Sequence, residues 1–306
     1  VTTHCNYNIG KYVLFVDKKC SRFVRGIKMC RLNIRKVLRG LLVVVLLVWT
    51  VFPIYWMVSL SIRDDAELIT SLSLFPKSFT DKHFIRLFRQ NSFSIAISNS
   101  LQVTLISLFF SLIFGLSCSY VLARTRYKYK LRGPMLFWIL LVRIIPPIAF
   151  ALPLYIMMNR LGLMHTKIPV ILAHILVNIP FIIWFMMGFF SGLPEEIEES
   201  AEIDGASDLQ LFIRIVLPLV LPGITAVGIL SFMTSWNEYI YGVIFVQSPS
   251  QFTIPLSLST LNSEQELAQW GRIAAGGIIS LVPVALFVVF AQNFLIQGLS
   301  SGAVKE

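Results

Sequence analysis

The sequence predicts an all-α integral membrane protein crossing the bilayer six times. Two observations carry this expectation. Of the 306 residues, 56% are hydrophobic and only 14% charged, with a mean hydropathy of +0.75, whereas soluble domains carry roughly 25% charged residues. The apolar residues also gather into runs long enough to cross a hydrocarbon core, which takes about 20 of them. Six such runs lie at 38–62, 97–123, 134–158, 168–190, 216–246 and 274–296.

Ahead of the first run, residues 1–37 form a basic segment. Residues 1–39 hold ten Lys/Arg against a single acid, Asp17, and so account for nearly all of the formal net charge of +10. A basic cluster directly before a span holds that end in the cytoplasm, and anionic lipid headgroups attract it as well. Nucleic acid is not an expected partner, because nothing here forms a module able to read bases. The first run is an anchor rather than a cleaved signal, since it exceeds the roughly 7–15 apolar residues of a signal core and no A-x-A site follows. Residues 1–28 alternate polar and aromatic character, and Met29 stands where a compact basic cap begins. The sequence leaves open whether 1–28 are native or an extension ahead of that methionine.

With the N-terminus inside, the runs alternate across the membrane. The loop after the second run, 124–133, carries Arg124, Arg126, Lys128, Lys130 and Arg132 with no acid, as an inside loop should. Segments 63–96, 159–167 and 247–273 fall outside, and the tail 297–306 returns to the cytoplasm. Cys5, Cys20, Cys30 and Cys118 form no CxxC, so neither a disulfide nor a metal site is expected.

The fifth run is interrupted by Pro218, Pro222 and Gly223, so its first turns are expected to lie at the membrane surface. Before it, residues 191–214 place Glu195, Glu196, Glu198, Glu199, Glu202, Asp204 and Asp208 against a lone Arg214. Pro194 suits a helix's first position, and the acids behind it suit the positive end of the helix dipole. Ile197 and Ala201, four apart, offer a narrow apolar stripe. Asp204-Gly205 reads as a turn that ends the helix. Ser207 with Gln210 forms a capping-box pattern opening a second helix, along which Leu209, Phe212, Ile213 and Val216 recur at helical spacing. The expected product is two short helices at an angle, acidic in front and apolar behind.

This segment resembles the cytoplasmic coupling loop of ABC-importer permeases, whose pattern is E-A-A, three residues, G, nine residues, I-x-L-P. Here Glu199-Ser200-Ala201 is followed by three residues, Gly205, nine residues and Ile215-Val216-Leu217-Pro218; Ser200 for the middle alanine is the one departure. Asn99-Ser100-Leu101 and Pro146-Pro147 through Leu152-Pro153-Leu154-Tyr155 resemble the second and third spans of such permeases. Ser235-Trp236-Asn237-Glu238-Tyr239 and the tail from Gly298 to Lys305 are similar to the carbohydrate branch and its maltose-type permease.

The resemblance implies a type I importer permease: domain 38–296, coupling loop 191–215, and an inner-membrane location in a prokaryote with both termini cytoplasmic. It also implies partners, namely a second permease subunit of a different chain, two copies of an ATPase and an extracytoplasmic solute-binding protein. Glu199, Ser200, Ala201, Asp204, Gly205, Ile215, Leu217 and Pro218 would meet the ATPase, and the tail residues Gly298, Ser301, Gly302 and Lys305 would reach it as well. ATP and Mg would sit on that partner, and this chain would bind no cofactor. It has no GxxxxGK[ST] nucleotide loop and no HExxH.

Charge within an apolar run marks a functional position, which brings Arg143 and Glu238, with neighbouring Trp236 and Asn237, forward as a translocation path. Packing and interfacial anchoring are the alternatives for the same residues. A rival class, an intramembrane serine protease, would need Ser117 and His174 to meet. A secondary transporter would show inverted repeats, and none is evident. The solute is expected to be a carbohydrate, with glycerol phosphate or a polyamine as alternatives.

Overall fold

The structure is a computed structural model that describes residues 36–70, 73–90, 92–124, 132–164, 166–262 and 269–303. The chain divides into two units, residues 1–57 and 58–306, each taken by itself. Every regular element among the described residues is helical, as a backbone in hydrocarbon requires when no sheet closes into a barrel. The N-terminal segment 1–35, with the alternatives for 1–28, lies outside the described residues.

Helix α1 spans Lys36–Ser61. Its stretch Leu41–Val48 consists of leucine and valine alone, and a helix apolar on every side is suited to lipid. In the second unit, α2 (Asp65–Thr70) and α3 (Lys82–Gln90) are short, and α4 (Phe93–Ala123) is a 31-residue helix. Helices α5 (Arg132–Ile144) and α6 (Pro147–Arg160) follow, then α7 (Ile168–Ser191) and α8 (Glu195–Ile203). Helix α9 (Asp208–Gln210) continues through a π-helical turn, Leu211–Val216, into α10 (Leu217–Leu219). The chain ends in α11 (Leu221–Trp236), α12 (Ile240–Phe245), α13 (Ile254–Asn262) and α14 (Gln269–Ala303).

Among the described residues, four helices are long and apolar enough to cross a membrane, and two bent pairs bring the number to six if each pair is one span. The bends revise two of the expected spans. The third run does not continue straight from 134 to 158: α5 and α6 meet at 97°. Pro146 sits there in extended backbone, with ψ 139, and a residue preceding proline is pushed out of the α region. The fifth run bends by 79° ahead of α11, where the prolines led to expect it. It then breaks a second time at Asn237–Tyr239, so 216–246 is not one helix beyond the bend. The expected tail boundary at 297 is not a helix end either, because α14 runs on to Ala303.

Among the described residues α4 and α7 share the most extensive helix–helix contact, and Gly115 lets them approach. A Cβ there would stand 2.6 Å from Ile182 Cγ2. Ser107, Ser111 and Ser119 are fully buried along α4, in keeping with the small residues that let membrane helices approach. At the other end, Asn99 donates to the carbonyls of Ser250 (2.9 Å) and Phe252 (3.0 Å), and the Ile254 amide donates to Ser100 Oγ at 2.8 Å. The segment after α12 is thereby folded back onto the start of α4.

Residues 62–70 and 73–90 make a polar clasp. Fully buried Arg63 donates to Ser59 Oγ at 2.8 Å and lies 3.6 Å from Glu67. Glu67 accepts the Ser78 hydroxyl at 2.7 Å and the amides of Lys77 and Ser78. The Ser78 hydroxyl bond foremost, with those amides and Arg63, holds the Glu67 carboxyl below its usual range. Asp64 is lowered too, chiefly by the hydrogen bond it accepts from Lys82 at 3.1 Å. A carboxyl whose folded pKa is depressed stabilises the fold above its unfolded value and loses that contribution as pH falls through the folded one. Hydrogen exchange at Lys77 and Ser78, corrected for intrinsic rates, should therefore be steady above about pH 5 and accelerate below about pH 4. Glu67→Gln should speed exchange at neutral pH and shrink that step.

Candidate coupling loop

The loop 194–218 follows from its sequence turn by turn. Pro194 precedes α8 in extended backbone, and Glu195, Glu196 and Glu198 occupy the first turn. The helix ends in a Schellman motif: the Gly205 amide donates to Glu202 O and the Ala206 amide to Ala201 O, both at 3.0 Å. Gly205 has φ +82, a left-handed conformation that costs other L-residues roughly 1–2 kcal/mol. The next helix opens with the expected capping box, in which Ser207 Oγ accepts the Gln210 amide (3.4 Å) and Gln210 Oε1 accepts the Ser207 amide (3.0 Å).

Burial differs from the expected stripe. The inward residues of α8 are Glu198 and Ala201, while Ile197 is partly exposed. In the following segment Leu211 and Val216 are buried, packing with Tyr120, Met186 and Phe190. Leu209 and Ile213 point outward, at 67% and 52% exposure, and Ile203 at the end of α8 is 87% exposed. The π-helical turn at Leu211–Val216 brings Leu211 and Val216, five apart, onto one inward face, because its wider turn departs from the 3.6-residue period. Glu199, Ser200, Asp204, Gly205 and Pro218 are exposed, and Ile215 and Leu217 half-buried. Ser200 Oγ donates back to Glu196 O at 2.7 Å, one turn earlier in the helix. The outward face is thus acidic and apolar together, not acidic alone.

One residue escaped the sequence reading. Glu198 is 4% exposed, forms an ion pair with Arg124, and accepts the Tyr120 hydroxyl at 2.8 Å. Arg124 also donates to the Leu193 carbonyl at 3.1 Å. No local pattern signals Glu198, because its partner Arg124 lies more than seventy positions earlier in the sequence.

The proposed path residues fall in two places. Arg143 lies on α5 with its guanidinium 4.7 Å from the centre of the Phe181 ring. Trp236, Asn237 and Glu238 stand at the end of α11, and Glu238 lies beside His174. The Trp236 ring stacks on Phe232 and its indole N–H donates to Ser280 O at 3.1 Å. The Asn237 amide donates to Met233 O. Glu238 lies 3.3 Å from His174 Nε2 and accepts the Tyr241 amide at 2.9 Å, closing the first turn of α12. His174 and Ser117 do not meet: Ser117 donates to Ile113 O within its own helix, and His174 is engaged with Glu238. Gly298, Ser301 and Gly302 belong to the backbone of α14, and Lys305 lies outside the described residues. Among the described residues no group of three His, Cys, Asp or Glu side chains could hold a metal ion.

Apolar helices long enough for four to six spans among the described residues, with a doubly capped loop between two of them, define a multi-pass membrane protein. The chain belongs to the family of binding-protein-dependent transport system inner membrane components, whose family model matches residues 111–301. It is 31% identical over 263 residues to the diacetylchitobiose uptake system permease protein DasC of Streptomyces coelicolor, covering 86% of this chain and 94% of that one. Identity to the trehalose transport system permease protein SugB of Mycobacterium tuberculosis is 29% over 260 residues, covering 84% and 93%. A crystal structure of a bacterial ABC transporter that imports alginate shares the fold, with a TM-score of 0.73 at 19% identity, covering 85% of this chain and 96% of that one.

Nothing lies within 4 Å of a Cβ built on Gly205, so a substitution there meets backbone strain alone. Gly205→Val should leave membrane abundance near wild type while the purified chain is cut faster by protease between 195 and 206. Gly205→Asn should behave close to wild type, since asparagine tolerates the left-handed region. Equal cleavage in both variants would remove the conformational explanation.

Proposed function

We propose that this chain is a permease subunit of an ABC importer that carries a carbohydrate across the cytoplasmic membrane of a prokaryote. A separate ATPase drives it, docking on residues 194–218. The observation that carries the docking is the outward face of that loop. Glu199, Ile203, Leu209 and Ile213 project from two short helices whose relative angle is fixed by a Schellman turn and a capping box. Such a rigid, mixed acidic and apolar knob fits a cleft on a soluble partner. Both termini lie in the cytoplasm, with Gly298, Ser301, Gly302 and Lys305 against the ATPase. The chain has no catalytic site of its own, and ATP and Mg reside on the ATPase.

The carbohydrate reading is supported by relatives named for diacetylchitobiose and trehalose. A delivering protein on the outer side is supported by a solved alginate transporter in complex with a periplasmic protein bound to an alginate pentasaccharide. The second permease is a different chain, and the path between the two passes Arg143, Asn237 and Glu238. Trp236 contributes to the path's wall by packing, since its indole N–H is already bonded.

The test is reconstitution of the assembled importer in liposomes with ATP inside. A mixture of mono- to tetrasaccharides, glycerol 3-phosphate and spermidine is supplied outside with the binding protein, and the lumen is read by mass spectrometry. ATP-dependent accumulation of a saccharide is the expected result. Accumulation of glycerol 3-phosphate or spermidine, with no saccharide, would replace the carbohydrate reading.

A further inference from the structure

Two neighbouring acids of α8 have opposite surroundings. Glu199 is exposed, whereas Glu198, at 4% exposure, is among the most buried charged side chains of the described residues. Charged side chains are almost never buried unless paired, and a buried ion pair is no more stabilising than apolar residues packed in its place. What the pair adds is direction. Arg124 is 3% exposed and uses its planar fork on two elements at once, with one nitrogen on Glu198 and another on the Leu193 carbonyl. A guanidinium fixes geometry in this way where an ammonium would not. Tyr120, one turn earlier on α4, bonds the second carboxylate oxygen of Glu198 at 2.8 Å, and its ring lies 6.0 Å from the guanidinium. Glu198 is thus held by Tyr120 of α4 and by Arg124, the residue that caps the helix end, four apart. Leu193, immediately before Pro194, ties the start of α8 to the same helix. Phe190 and Phe212 close the cluster against Tyr120.

We infer that the buried Arg124–Glu198–Tyr120 cluster is a strut that locks the loop's pose to the end of α4, so that a displacement of the loop moves that helix. This rests on the reading of 194–218 as the ATPase dock. Apolar packing alone would let α8 slide or roll against α4; three directional bonds oppose both. Arg124, Glu198 and Tyr120 are positioning residues, behind the contact face rather than on it.

The first measurement is hydrogen exchange of the purified full chain in nanodiscs. Glu198→Gln should raise exchange of the amides between 196 and 206 roughly tenfold, the loss of a charge-assisted bond, and leave α7 and α11 unchanged. Tyr120→Phe, which removes one hydroxyl and keeps the ring, should show the same change at reduced size. The second measurement uses the reconstituted importer with the saccharide mixture above. Glu198→Gln should keep its ATPase on purification and keep the half-saturating sugar concentration, while solute carried per ATP hydrolysed falls roughly fivefold. A Glu199→Gln variant separates the two readings: it should recover less ATPase, with loop exchange as in wild type. Unchanged loop exchange in both Glu198→Gln and Tyr120→Phe would overturn the strut. Faster exchange with an unchanged solute-to-ATP ratio would overturn its role in coupling. Full ATPase recovery with Glu199→Gln would count against the dock and not against the strut.

Discussion

A backbone amide or carbonyl in hydrocarbon has no water to turn to, and leaving it unpaired costs several kcal/mol. Most of this chain meets that constraint by being helix. Where helices stop inside or near the membrane, side chains take over. Glu238 accepts the Tyr241 amide where α12 begins. Ser100 accepts the Ile254 amide, and Asn99 donates to the carbonyls of Ser250 and Phe252, where the chain turns back after α12. Polar residues inside apolar runs are therefore part of how the irregular segments are held, before any of them is asked to meet a solute.

The same economy of polar groups organises the loop. Its acids serve different ends according to which way α8 turns them. Glu195 and Glu196 in the first turn lie at the positive end of the helix dipole, Glu198 of the same turn is used internally by Arg124 and Tyr120, and Glu199 is left to the outside. Burying Glu198 without a partner would be strongly destabilising, so the pose of α8 depends on the basic residue that ends the second span. Ile203, Leu209 and Ile213 remain uncovered in the isolated chain. A partner that covers them would gain apolar burial at about 25 cal/mol per Å², which gives docking a driving force besides charge.

Much of this was legible in the sequence. The runs at 97–123 and 168–190 became α4 and α7 within a few residues. The Asp204-Gly205 turn and the Ser207/Gln210 box stand where their side chains and glycine dictate. Three features were harder. The 97° bend at Pro146 was signalled by Pro146-Pro147, yet hydropathy carries straight through it. The inward turn of Glu198 depends on Arg124, more than seventy positions earlier, and no local pattern reports such a contact. The joint burial of Leu211 and Val216, five apart, depends on a π-helical turn, for which an assumed period of 3.6 is the wrong ruler. Trp236 stands on the expected translocation path with packing as the alternative, and its stacking on Phe232 and its bond to Ser280 are packing contacts that the sequence does not report.

The central claim is that the exposed face of 194–218 is where an ATPase binds. A photo-crosslinking amino acid placed at Ile203, the most exposed large apolar residue of the loop, tests it most directly in intact cells expressing the whole importer. The account predicts a covalent adduct between this chain and the ATPase subunit, absent when the crosslinker stands at buried Leu211. Adducts to lipid or to the extracytoplasmic binding protein alone, with none to the ATPase, would contradict it.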